Sequence, residues 1–149
     1  MRMKPALTLD DAKKLLAAAE EEATRNNWGV VIAILNDGGR LVALHRMDRA
    51  RPGNDQVAIG KAMTSAMTCR SSVVWQKWVD GDYPSRATMG FLAQQGGVPI
   101  IIDGELVGAV GVSGVRSDQD EQVAIVAIKK VFPQAQTMRD GEEHDIASF

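Results

Sequence analysis

Few side chains in this sequence of 149 residues combine charge, hydroxyl and spacing in a way that suits chemistry. Lys61, Thr64 and Thr68 lie three and four residues apart in a stretch rich in Ala and Met. A helix there stacks all three on one face and turns Ser65 off it. An ammonium and two hydroxyls on one face suit a carboxylate. Arg46, Asp48 and Arg70 complete this polar set. An arginine would hold the acid and Asp48 or His45 would move a proton, with Lys61 beside them as a third catalytic candidate. The competing account is a buried Lys61–Asp48 ion pair that only orders a loop, because structural ion pairs imitate functional sites.

Further along, Gly96-Gly97 and Gly111-Val112-Ser113-Gly114 have the composition to present backbone N–H groups to an anion. The second of these leads toward the start of the last helix. Gly104, Gly108 and Gly111 read better as turn and packing glycines, which leaves Gly97, Ser113 and Asp120 as pocket residues. The sequence has no Cys-x-x-Cys or His-x-x-x-His spacing, so no metal site is expected beyond a weak one at Glu142-Glu143-His144-Asp145. Neither a phosphate-binding P-loop nor a dinucleotide fingerprint is present. Cys69 is the single cysteine and lies on an apolar helical stretch, where a small buried hydrophobe is the expected role.

The elements that must position these residues are legible from period and punctuation. Thr8 followed by Asp11 opens a helix, and Leu9, Ala12, Leu15, Leu16, Ala19 and Ala23 recur at helical spacing up to Asn26-Asn27. Trp28–Arg46 reads as a hairpin turning at Asn36-Asp37-Gly38-Gly39. Asp55–Cys69 is a helix whose small residues suit close approach to a sheet or a partner helix, and Ser71–Val79 is a third, short one. A second hairpin runs Ile100–Asp103, turns at Asp103-Gly104 and returns over Glu105–Ser113. Ser117–Asp120 caps a last helix over Glu121–Val131, which Pro133 stops. Two hairpins separated by helices pair as an antiparallel sheet that the amphipathic helices cover, an α/β chain of the α+β type. Residues 1–133 form one domain and 134–149 a polar tail.

Composition agrees with that picture: 45% hydrophobic and 24% charged residues are ordinary for a globular domain. A net charge of −2 gives no reason to expect nucleic acid or an anionic membrane as partner. The N-terminus enters its first helix without an apolar signal core, so the cytoplasm is the default location. The small-residue helix and two aromatics expected to be exposed, Trp75 and Trp78, suit a self-complementary interface and a homo-oligomer.

The segment Gln95–Gly114, read as GGVPI-x-x-DG-x-x-VGA-x-GVSG with Asp120 shortly after, resembles the GlcG/HbpS-like family. That family is described as haem-binding or haem-degrading and is related to the PduO C-terminal domain. Asn36–Leu41, Arg46-Met47-Asp48 and Gly60–Ala66 resemble its other motifs, and the resemblance spans roughly Leu7 to Val131. It implies a profilin-like antiparallel sheet of about five strands layered by helices, assembly from dimer to octamer, and haem as a cofactor to consider, with His45, His144, Met or Cys69 as axial donors. The Lys61 face would then meet a haem propionate. Three functions follow: a protein binding haem or another planar or acidic small molecule; a cofactor-independent isomerase or lyase acting by proton transfer on a small carboxylate or oxidised aromatic catabolite; or an accessory subunit without a ligand.

Overall fold

The computed structural model describes residues 1–137. Helix α1 (Leu9–Arg25) starts at a capping box in which the Thr8 hydroxyl accepts the Asp11 N–H and the Asp11 carboxylate accepts the Thr8 N–H. Strands β1 (Val31–Asn36) and β2 (Leu41–Arg46) form the first hairpin. Its turn is held by the Asn36 side-chain carbonyl, which accepts the N–H groups of Gly38 and Arg40 at 2.9 and 3.0 Å. Helices α2 (Asn54–Thr68) and α3 (Ser72–Asp80) follow, then a short 3₁₀ helix (Pro84–Met89). Strands β3 (Gly97–Ile102) and β4 (Glu105–Ser113) make the second hairpin, and α4 (Ser117–Val131) closes the order. Asp103 and Gly104 both have positive φ (51° and 76°), the backbone that a tight hairpin turn needs and that Asp-Gly supplies.

The sheet has four strands among the described residues, in the order β2-β1-β4-β3, all neighbours antiparallel. This corrects the expectation of about five: β1 pairs directly with β4, so the two hairpins alone complete the sheet. Central strand β1 is apolar on both sides, as a strand covered on both faces must be. Val31, Ala33 and Leu35 meet Ala58, Ala62 and Ala66 of α2. Ile32 and Ile34 meet Leu15, Leu16 and Ala19 of α1 and Val123, Ala124 and Ala127 of α4. The result is three layers, α2 on one face and α1 with α4 on the other.

The small residues of α2 therefore serve contact with the sheet. A methyl group on Gly111 would stand 2.0 Å from the Ala58 carbonyl oxygen, and one on Gly97 2.1 Å from that of Lys61. Two further expectations change. Trp75 is 5% exposed, edge-on to Trp78 and Phe91 at centroid distances of 6.0 and 5.7 Å, with Trp78 half-buried. The Arg86 guanidinium covers Trp78 and Tyr83 at 4.4 Å each, so this cluster packs the α3 excursion rather than facing outward. Helix α4 begins at Ser117, four residues before the expected start, which places Asp120 inside its first turn. Beyond α4, Gln136 exchanges backbone hydrogen bonds with Ile101 on the outer edge of β3. The rest of the tail, with His144 and its acidic neighbours, lies outside the described residues.

Candidate functional site

Lys61 is 1% exposed, an unusual state for lysine that demands a partner. The partner is Asp120, with Nζ to Oδ2 at 2.9 Å, and Nζ also donates to the Val112 carbonyl at 3.0 Å. The other Asp120 oxygen accepts the Val115 N–H at 3.1 Å. The expected Lys61–Asp48 pair is thus corrected: β4 runs under α2 and delivers the start of α4, and Asp120 with it, to the lysine. Burial pushes the Asp120 carboxyl up from its ordinary value, against the Lys61 ammonium and the backbone N–H groups that favour its charge.

This pair forms part of the wall of a polar cavity of about 200 Å³. The rest of the wall comes from Arg51, Asn54 and Val57 around the start of α2, Gln94 before β3, and Ser113, Gly114, Val115 and Ser117 where β4 hands over to α4. Ser113 is 5% exposed and donates its hydroxyl to the Asn54 side-chain carbonyl at 3.3 Å. Asn54 and Ser117 are the first residues of α2 and α4, so two helix N-termini border one cavity, and Gly53, the residue before α2, has no side chain to cap it.

The residues singled out from the sequence divide into three places. Lys61, Ser113 and Asp120 come together at the cavity. Gly97 borders Lys61 but donates its N–H to Ser72 Oγ at 2.8 Å, and its missing side chain is what lets α2 approach. Thr64 and Thr68 lie further along α2 with their hydroxyls on backbone carbonyls, Thr64 on Gly60 and Leu92 and Thr68 on Thr64. Arg70 sits past the end of α2, donating to the Thr68 carbonyl and lying 5.1 Å from the Trp78 ring. His45, Arg46 and Asp48 are elsewhere again, around an open surface concavity of about 420 Å³ shared with Glu20, Leu44 and Met47. There His45 Nδ1 meets the Glu20 carboxylate. Arg51, Asn54, Gln94 and Ser117 join the cavity without having been anticipated. The available signal was Arg51-Pro52-Gly53-Asn54, a cation immediately before a helix start. Cys69 is half-buried and burial pushes its thiol up, consistent with a packing role.

Fold and site together define a three-layer α+β protein with a polar cavity at the meeting of two helix N-termini. The chain belongs to the family described as "Haem degrading protein HbpS-like", whose sequence profile matches residues 7–129. It is 41% identical to Protein GlcG of Escherichia coli (strain K12) over 114 residues, covering 76% of this chain and 85% of that one. It is 32% identical over 130 residues to an uncharacterized 15.0 kDa protein in the dhaT-dhaS intergenic region of Citrobacter freundii, covering 82% and 89%. Among solved structures, the PduOC:heme complex superposes with a TM-score of 0.82 at 26% identity, covering 91% of this chain and all (100%) of that one. HbpS gives 0.80 at 28%, covering 89% and 94%. No helix among the described residues is long and apolar enough to cross a membrane.

The family name raises haem, and the residues present can be tested for it. A cavity of 200 Å³ with polar walls falls below the roughly 300–1,000 Å³ of pockets that enclose drug-sized ligands, and it holds no imidazole or sulfur donor. The concavity beside His45 has an imidazole, and Glu20 orients it as a carboxylate orients a ligand histidine. Three of its six wall residues, however, are charged, with only Leu44 and Met47 apolar. Neither place offers the mostly apolar wall that would enclose a porphyrin within one chain.

Proposed function

We propose that this chain is a small-molecule-binding protein whose ligand is a small acid held in the cavity around Lys61 and Asp120. The observation that carries the reading is the buried Lys61–Asp120 pair at the wall of a solvent-reaching polar cavity. A charge pair taken out of water is costly, and replacing it with apolar residues is often neutral or stabilising, so its retention beside a cavity points to use rather than to stability. Family membership supports binding of a small molecule, and the haem complex of PduOC keeps haem as the competing ligand. The protein works as a homo-oligomer, from dimer to octamer, in the cytoplasm.

Haemin titration read at the Soret band, with His45→Ala alongside, separates the two ligands. The cavity reading expects no saturable red-shifted band that depends on His45. A band of that kind, lost in His45→Ala, would move the ligand site to the Glu20–His45 concavity.

A second reading, cofactor-independent proton transfer on the bound acid, is favoured by the upward push on the Asp120 carboxyl inside the cavity. In that reading Asp120 exchanges the proton, since Asp48 and His45 do not line the cavity. Deuterium uptake from D₂O by a bound acid, seen by NMR and lost in Asp120→Asn, is its discriminating signal.

A further inference from the structure

The hydrogen-bonding groups of the cavity are unbalanced, and the imbalance specifies a ligand class. Both Asp120 oxygens are occupied, one by Lys61 and one by the Val115 N–H. The Asn54 carbonyl oxygen is occupied by the Ser113 hydroxyl. What remains on the wall is rich in donors. The Arg51 guanidinium, the Ser117 hydroxyl and the side-chain amide of Gln94 have no partner among the described residues. Lys61 has three ammonium protons and two acceptors. Formal charge on the wall is Arg51 and Lys61 against Asp120, a net +1, and the N-terminal ends of α2 and α4 add partial positive charge. Asp55 and Asp118 do not line the cavity: Asp55 accepts the Gln56 N–H and Asp118 pairs with Arg116.

Resting on the reading that this cavity is the ligand site, we propose that it binds a short, oxygen-rich carboxylate, with Arg51 as the anchor of the carboxylate group. A guanidinium with no partner among the described residues is the donor set that pairs two-pronged with a carboxylate. Gln94, Asn54 and Ser117 are left for a second oxygen function, either another carboxylate or an oxo or hydroxyl group. Size sets the upper limit: 200 Å³ is about seven waters at ~30 Å³ each, room for an acid of a few carbons and not for an aromatic system with side chains.

The test uses the intact protein and four probes: malonate, its neutral diamide malonamide, inorganic phosphate and haemin. Calorimetric titration is expected to show saturable malonate binding with none for malonamide. Arg51→Met should weaken malonate at least tenfold while leaving the unliganded melting temperature unchanged, because the Arg51 side chain is exposed and has no partner among the described residues. Arg51→Lys should recover part of the loss, since it restores charge without the two-pronged geometry. Malonamide binding as tightly as malonate, or malonate binding indifferent to Arg51, would overturn the proposal. Phosphate binding that depends on Arg51, with no carboxylate bound, would overturn the ligand class but leave the cavity as the site. Haemin as the sole ligand, insensitive to Arg51→Met, would overturn both.

Discussion

At the scale of single residues the decisive feature is a lysine whose side chain is only 1% exposed. Removing either partner of a buried pair leaves the other charge without compensation, so Lys61→Met or Asp120→Leu should each cost about 3–5 kcal/mol. The double variant Lys61→Met/Asp120→Leu should recover more than half of the summed loss. The backbone groups then left unpaired, the Val112 carbonyl and the Val115 N–H among them, cost about 1–3 kcal/mol each. Urea unfolding of the four proteins gives the cycle, and costs that simply add would show that the pair is not coupled. Arg51 behaves differently. It is exposed, so its loss should be read in ligand affinity and not in stability.

At the scale of elements, the contact of α2 with the sheet depends on two positions without side chains. Gly111→Ala brings a methyl group to 2.0 Å from the Ala58 carbonyl oxygen, and backbone cannot swing aside as a side chain can. The expected loss is at or above the usual 1–3 kcal/mol of overpacking. Gly104→Ala is the control: its φ of +76° imposes strain, but nothing lies within 4 Å, so about 1–2 kcal/mol is expected. Chemical denaturation midpoints in the order wild type, Gly104→Ala, Gly111→Ala check this, and the reverse order would refute the close approach. These glycines were legible in the sequence as turn or packing residues. Which helix they receive was not, because Ala58 and Gly111 are brought together only when β4 pairs with β1. The same α2 placement carries Lys61 to Asp120, so the packing of the element and the geometry of the site have one origin.

At the scale of the whole molecule, α2 leaves apolar side chains uncovered. Met63 and Met67, one helical turn apart on α2, are 38% and 42% exposed. Neighbouring exposed apolar groups of this kind suit a self-complementary contact, and they replace the aromatic pair expected from the sequence, which is packed under Arg86. Light scattering should give an integral multiple of the 16.1 kDa chain mass, and Met63→Lys/Met67→Lys should lower it. A monomeric wild type would remove the oligomer from the proposal.

The sequence by itself determined what depends on near neighbours. The Thr8 capping box, the Asp103-Gly104 turn, the helical period of α1 and the membership of a family through Gln95–Gly114 all follow from a few consecutive residues. Three residues of the site were readable in the same way, since Lys61, Ser113 and Asp120 each stand at a recognisable place in an element. Tertiary structure alone decided who meets whom. Lys61 takes a carboxylate 59 residues away in place of Asp48, and Arg51 reaches the cavity because α2 and α4, on opposite faces of the sheet, start beside the same pocket. His45 and Asp48 are left on another surface. Local sequence sets dihedral angles and the faces of elements through short-range sterics and hydrogen bonds. Partners across the fold are set by strand order and by which face each helix covers, and these minimise free energy only over the whole chain.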